Sequence, residues 1–241
     1  MSRAADELRA VQITRNYTKS SPGSVLYQSG GTIVLCTASV ANEVPPWLVG
    51  KGKGWITAEY NMLPHSTSPR KRREREGKVD GRTTEIQRLI GRSLRAIIDL
   101  KRLGERMVTV DCDVLQADGG TRTASITGAF LALVDALNSV REALPDPASY
   151  PLSDSVAAIS VGLVDGRATL DLDYEQDFAA TVDMNVVMTG QGRFVEIQGT
   201  GEEATFDDVE LGQLLSLARQ GIRQLTDLQK ATLSERWPFD R

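Results

Sequence analysis

Between Asp111 and Phe130 the sequence changes its period, and that change limits what the chain can fold into. Val108, Val110, Cys112 and Val114 alternate with Thr109, Asp111 and Asp113. Period two with β-branched residues predicts a half-buried strand. Gly119 and Gly120 then end it, since paired glycines admit positive φ and close approach of backbone. From Thr121 the residues turn small and helical, with Ala124, Phe130, Leu131, Val134 and Leu137 available for burial. Strand, glycine turn and helix in succession put a helix N-terminus at the tip of a strand. Such an end presents unpaired N–H groups and a partial positive charge. Here it also carries the hydroxyls of Thr121 and Thr123 and the guanidinium of Arg122, a set suited to phosphate. The same residues also fit a tight strand-to-helix turn with a surface arginine. A standard nucleotide loop is excluded, because neither Gly-x-x-x-x-Gly-Lys-Ser/Thr nor a Gly-x-Gly-x-x-Gly after the strand is present.

Upstream, Val11 to Arg15, Val25 to Gln28 and Thr32 to Ser39 predict three strands of an antiparallel opening sheet. Pro45-Pro46 and the glycines from Gly50 to Gly54 mark a loop, and Trp55 to Tyr60 returns to strand. The stretch from Arg70 to Lys78 holds six basic and two acidic residues, on a chain whose net charge is −4. A solvated loop accounts for such a run. So does an arm that binds phosphodiesters, because clustered cations concentrate the local field. No aromatic residue interleaves, so a bound nucleic acid is expected to be held by its backbone rather than by stacked bases. Arg82 precedes an apolar stripe of Ile86, Leu89, Ile90, Leu94, Ile97 and Ile98. Thr84 to Gln87 fits a capping box and Gly104 a stop, which predicts one helix entered at Arg82. Two arginines thus stand at two helix entrances, and spacing alone does not bring them together.

After Pro145 to Pro151, strands are expected over Val156 to Val164, Arg167 to Asp173, Asp183 to Thr189 and Arg193 to Gln198. Asp165-Gly166 and Gly190 to Gly192 supply hairpin turns. A last helix begins near Asp207 with Leu211, Leu214, Leu215, Ala218, Ile222 and Leu225 on one side. The tail from Ser234 to Arg241 is expected to be loosely held.

At 241 residues, 41% hydrophobic and 25% charged, the chain can bury a full core, and residues 1–241 are taken as one domain. No apolar run reaches the roughly 20 residues of a membrane span. The first residues lack the apolar core of a secretory signal, so a cytoplasmic protein is expected. Cys36 and Cys112 lie in apolar strand patterns and suit small buried hydrophobes in a reducing compartment. One histidine, His65, and no Cys-x-x-Cys leave a zinc site or a Ser/His/Asp triad short of partners.

Carboxylates remain. Asp171, Asp173 and Glu175 begin like a calcium loop, but Gln176 stands where glycine is needed and Val182 where a bidentate glutamate is needed. A solvent-facing strand edge also accounts for them. Asp177 and Asp183, separated by a turn, are placed to share magnesium, which takes one or two carboxylates plus phosphate oxygens and water. Asp183 and Asn185 share a strand face opposite Met184, Val186 and Met188. A phosphate pocket, a carboxylate pair and a basic segment are the parts of phosphoryl transfer on a polyanion.

Five stretches, Arg15 to Thr18, Gly54 to Tyr60, Gly81 to Arg92, Asp111 to Gly128 and Asp183 to Met188, together resemble the bacterial ribonuclease PH family. The resemblance runs over about residues 9–230. It implies an α/β (α+β) fold, the ribosomal protein S5 domain 2-like arrangement of mixed β-sheets packed with helices. It implies a homohexameric ring, a trimer of dimers. The implied activity is phosphorolytic 3′-to-5′ exoribonuclease action on tRNA precursors and other structured RNA 3′ ends. Inorganic phosphate is the co-substrate, nucleoside diphosphates are released, and the reverse reaction adds nucleotides. By the same resemblance, phosphate ligands fall on Arg82, Gly120, Thr121 and Arg122. Asp177 and Asp183 fall on the essential carboxylates, with Mg²⁺ or Mn²⁺ as metal, and Arg122 joins them as catalytic. Arg70, Arg72, Arg73 and Arg75 fall in the arginine-rich RNA-binding loop. Related polynucleotide phosphorylases place a lysine where this chain has Asn185. An alternative is a non-catalytic RNA-binding ring subunit of the same fold, although such subunits lose arginine or aspartate positions that this chain keeps. A small-molecule kinase would need the nucleotide loop that is absent.

Overall fold

The computed structural model describes residues 3–73, 80–201 and 204–239. Strands β1 (Val11–Arg15), β2 (Gly23–Ser29) and β3 (Thr32–Ala41) run antiparallel, as their alternation predicts. With β4 (Trp55–Met62) and β5 (Met107–Gln116) they form a sheet of order β1-β2-β3-β5-β4, in which β4 and β5 are parallel. A parallel pair needs a crossover rather than a hairpin. Helix α1 (Gly81–Arg95) and the short α2 (Leu100–Leu103) supply it. Helix α3 (Thr121–Ser139) follows β5 directly. Strands β6 (Val156–Val164), β7 (Arg167–Leu170), β8 (Val182–Thr189) and β9 (Phe194–Gly201) form a second, antiparallel sheet of order β7-β6-β8-β9. Helix α4 (Tyr174–Ala179) sits between β7 and β8, and α5 (Asp208–Leu233) follows β9.

Helix α3 lies between the sheets, against β2, β3 and β5 on one side and β6 on the other. It is buried from Thr123 through Leu137, so it has no polar face, which is the pattern of a central helix. Its small residues permit the close approach. A Cβ on Gly128 would stand 2.8 Å from Cys36 Sγ and 3.0 Å from Tyr27 Cβ. Helix α5 covers the far face of the second sheet, packing Leu214, Ala218, Ile222 and Leu225 on Ile159, Val161, Met184 and Val186. Strand β6 is therefore covered on both faces, and its sequence is a continuous apolar run rather than an alternation. Each fully buried side chain such as Phe130 or Leu131 stabilises the fold by about 1.5–3 kcal/mol. Cys36 and Cys112 face one another across β3 and β5, buried and free. The hydrogen bond with Cys36, and then burial, push the Cys112 thiol well up, so the pair is inert packing.

Several boundaries differ from the sequence expectation, each for a local reason. Asp80 rather than Thr84 caps α1, accepting from the Thr83 N–H at 2.7 Å, so Arg82 lies inside the first turn instead of ahead of it. The helix also ends early. Ile97 and Ile98 leave it to be buried, Ile98 bridges to Leu152, and Asp99 caps α2 separately. Strand β7 stops at Leu170, because Asp171 turns inward at φ 55° to meet Arg9. Arg9 Nη2 lies 2.7 Å from Asp171 Oδ1, and the Arg9 N–H donates to Asp171 Oδ2 at 3.0 Å. Both side chains are buried, and leaving either ion alone would cost about 3–5 kcal/mol. Asp173 and Glu175 form no strand edge. Asp173 caps α4 in a capping box with Gln176, a short helix hidden within the alternating acids. The tail packs through Phe239: Trp237 and Phe239 lie 6.2 Å and 6.4 Å from the Phe130 ring, which gives this terminus the apolar anchor most termini lack. Among the described residues no helix is long and apolar enough to cross a membrane.

Candidate active site

Gly119 (φ 73°) and Gly120 (φ 63°) turn the chain from β5 into α3. A Cβ on Gly119 would lie 2.5 Å from the Leu172 carbonyl oxygen, so space as well as its positive φ requires glycine there, while at Gly120 the positive φ does. The N-cap is Gly120 itself, and no side chain caps the helix. The first-turn N–H groups keep their donor capacity for an anion. Thr121 is fixed from the side: its hydroxyl lies 2.9 Å from the hydroxyl of Tyr60, and both residues are buried. Tyr60 reaches it because β4 lies parallel beside β5, with Tyr60 opposite Cys112.

Burial pushes the Tyr60 phenol up, while the Thr121 hydrogen bond and the positive charges of Arg82 and Arg122 pull it down. Both guanidinium groups therefore lie near enough to act on one phenol. Arg82 is exposed and makes no hydrogen bond or ion pair with the described residues. Arg122 is held. Its Nη1 donates to Gln198 Oε1 at 3.2 Å and lies 3.7 Å from Glu85 Oε1. Gln198 Nε2 donates to Glu85 and Glu196, each at 3.1 Å, and Arg92 grips Glu196 at two points, 3.0 Å and 2.8 Å. The sequence alone assigns no role to Tyr60, Glu85, Arg92, Glu196 or Gln198. Its only signal is weak: Glu85 and Arg92 fall on one face of a helix, and Glu196 and Gln198 on one face of a strand.

The carboxylates come from the second sheet. Asp183 pairs across β6 with Gly162, and Asn185 with Ser160, so these four share a face. That face looks toward the glycine turn, since Ser160 Oγ lies 3.8 Å from the Cβ position of Gly120 and accepts from the Leu172 N–H at 3.0 Å. Helix α4 is laid over the same face: a Cβ on Gly162 would meet Leu172 Cδ1 at 2.7 Å and Ala180 Cβ at 3.5 Å. Asp177 is an exposed residue of α4. The glycine turn, Asp177 and Asp183 thus belong to one side of this sheet. Asp183 is half-buried and makes no hydrogen bond or ion pair with the described residues. A carboxylate in that state fits a metal ligand. The described residues hold no group of three or more His, Cys, Asp or Glu side chains fit to bind a metal. One or two carboxylates are enough only for an ion such as magnesium, which completes its shell with phosphate oxygens and water.

Arg70, Arg72 and Arg73 are exposed between β4 and α1, and Arg75 lies outside the described residues. Lys71 Nζ stands 3.3 Å from Asp80 Oδ2, the cap of α1. Such an exposed pair contributes only about 0–1 kcal/mol. Its meaning is positional: the basic segment begins beside the helix entrance that carries Arg82.

The chain matches the family models described as 3′ exoribonuclease family, domain 1, over residues 7–137, and domain 2, over residues 154–221. It is 67% identical over 237 residues to a ribonuclease PH of Rhodopirellula baltica, covering 96% of each chain. A ribonuclease PH of Listeria monocytogenes is 55% identical over 236 residues, covering 97% of this chain and 95% of the relative. Among solved structures, rice Rrp46 aligns with a TM-score of 0.77 at 19% identity, covering 96% of this chain and 98% of that one. An Archaeoglobus fulgidus exosome with RNA bound to the active site gives 0.78 at 22% identity, covering 94% and 90%. At those identities the two structures speak to the fold alone. The mixed sheets and helices have the ribosomal protein S5 domain 2-like arrangement.

Proposed function

The chain belongs to the ribonuclease PH family of 3′ exoribonucleases, and we propose that its own Arg82, Thr121 and Arg122 seat the phosphate with which it shortens RNA. The reaction is phosphorolysis in the 3′-to-5′ direction. A phosphate oxygen attacks the last phosphodiester, and the bond from that phosphorus to the preceding nucleotide's 3′ oxygen breaks. A nucleoside diphosphate leaves, the RNA is one nucleotide shorter, and the reverse reaction adds a nucleotide. The observation that carries this reading is the uncapped N-terminus of α3, where Arg122 sits in the first turn and the Tyr60 hydroxyl fixes Thr121. Two guanidinium forks and a helix N-terminus facing one oxyanion would orient it for in-line attack, which supplies most of the catalysis in such transfers. Asp177 and Asp183 would hold Mg²⁺ or Mn²⁺, which when bound supplies positive charge against the developing negative charge. The side on which these acids lie is the side of the glycine turn.

The substrates in this reading are tRNA precursors and other structured RNA 3′ ends. Both halves of the chain work as one unit, in a cytoplasmic homohexamer built as a trimer of dimers. The test is the product. With a tRNA precursor and inorganic phosphate, the released mononucleotide carries a 5′ diphosphate, and omitting phosphate stops release. A monophosphate product overturns the phosphorolytic reading, and no product at all favours the non-catalytic ring subunit. The arginine-rich segment steers RNA by its backbone. Replacing Arg70, Arg72, Arg73 and Arg75 with glutamine is expected to flatten the log–log salt dependence of tRNA binding by about 0.7–0.9 for each phosphate no longer neutralised. An unaltered slope leaves the segment as solvated chain.

A further inference from the structure

We infer that Gln198 is a positioning residue that aims Arg122 at phosphate and keeps it available, through a relay anchored by Glu196 and Arg92. The inference rests on Arg122 being a phosphate ligand. Gln198 stands on β9 opposite Asn185 of β8, on the sheet face that carries Asp183. Its side chain reaches the first turn of α3, where Oε1 accepts from Arg122 Nη1 at 3.2 Å. The orientation of the amide is dictated by its neighbours. Two carboxylates, Glu85 and Glu196, each take a hydrogen bond from Nε2 at 3.1 Å, so only the oxygen is left to face the guanidinium. Arg92 holds both oxygens of Glu196, which favours this orientation.

The chemistry of this choice is specific. A neutral acceptor orients a guanidinium without cancelling its charge, whereas a carboxylate would compete with phosphate for the same fork. Glu85 is such a competitor. Its Oε1 already pairs with Arg122 Nη1, but at 3.7 Å, longer than a hydrogen bond, while the same oxygen accepts from Gln198 at 3.1 Å. Gln198 thus does two things with one amide. Its oxygen fixes Arg122, and its nitrogen occupies the Glu85 oxygen that pairs with that arginine, so the pair stays long. Without the amide, the long Glu85–Arg122 pair can shorten to a hydrogen-bonded one, and phosphate must break it to bind.

The test is a phosphate titration of exonuclease rate in the full-length protein. Gln198→Ala is expected to raise the KM for phosphate by about tenfold, as loss of a hydrogen bond to a charged group does, with the KM for RNA unchanged. Adding Glu85→Gln to Gln198→Ala is expected to return part of that loss, because the competing charge is gone while the hydrogen bond to Arg122 stays lost. A purely structural role for Gln198 does not produce such a rescue. A phosphate KM within about twofold of wild type in Gln198→Ala overturns the inference. So does a raised KM that Glu85→Gln fails to lower. Should Gln198→Ala fold poorly by circular dichroism, Arg92→Met at the exposed end of the relay decides: a raised phosphate KM supports the relay and an unchanged one removes it. If Arg122→Ala itself leaves phosphate dependence intact, the phosphate site is wrong, and that result is distinguishable from failure of the relay alone.

Discussion

Asp183→Asn is expected to stop RNA phosphorolysis and nucleotide addition together, while RNA binding and the fold persist. The substitution keeps the shape of the side chain and removes only its charge. Asp183 has no hydrogen bond or ion pair with the described residues, so the change leaves no buried partner stranded. Its strand is held by pairing with β6 and β9 and by Met184, Val186 and Met188 beneath α5, none of which involves the carboxylate. The thermal midpoint should therefore stay near that of wild type. Rate should not. Removing a group that stabilises charge in the transition state costs about 10²–10³ in kcat. Phosphorolysis and addition cross the same transition state, so both fall by the same factor. Diphosphate release from RNA and chain extension from nucleoside diphosphates measure the two directions, and a filter-binding assay measures RNA affinity. Turnover within about tenfold of wild type in either direction takes Asp183 out of the chemistry.

What the sequence reveals of this molecule is local, and what it hides is distant. The alternation through Val108 to Val114, the Gly119-Gly120 break and the small-residue helix each depend on neighbours within a few positions, and the structure has β5, the left-handed turn and α3 there. The cap of α1 is misread for an equally local reason. Asp80 competes with Thr84, and a carboxylate that accepts from the Thr83 N–H wins. The acids from Asp171 to Asp177 show only their alternation in the sequence. Their separate fates follow from Arg9, 162 positions away from Asp171, and from a capping box whose helix is only six residues long. The same holds at the candidate site. Tyr60 meets Thr121 across 61 positions, and Gln198 meets Glu85 across 113. Those meetings exist because β4 lies parallel beside β5 and because β9 reaches α1, facts of topology that no window of sequence contains. Chemical roles for Arg82 and Arg122 come from resemblance. Their shared nearness to Tyr60 is a property of the folded chain.

The uncapped N-terminus of α3 makes the second large effect sharp. Arg122→Ala is expected to lower kcat/KM for phosphate by about 10²–10³, with RNA affinity nearly unchanged. Arg122 sits in the first turn of α3, where the helix adds its own partial positive charge, and its guanidinium is mostly buried beside Gln198. Alanine removes the fork but leaves the turn, since Gly119, Gly120 and the Tyr60–Thr121 bond do not depend on that side chain. Arg82 and the helix N-terminus then hold phosphate without the second fork, so more phosphate is needed for the same rate. Lysine separates charge from geometry. Arg122→Lys keeps the positive charge and loses the planar pair of donors, so it is expected to recover only part of the loss. Initial rates across a range of phosphate at fixed RNA measure both variants. Phosphate dependence identical to wild type in Arg122→Ala removes Arg122 from the anion site. Full recovery by lysine shows that charge alone suffices and that the fork is not what the glycine turn and Gln198 are built to present.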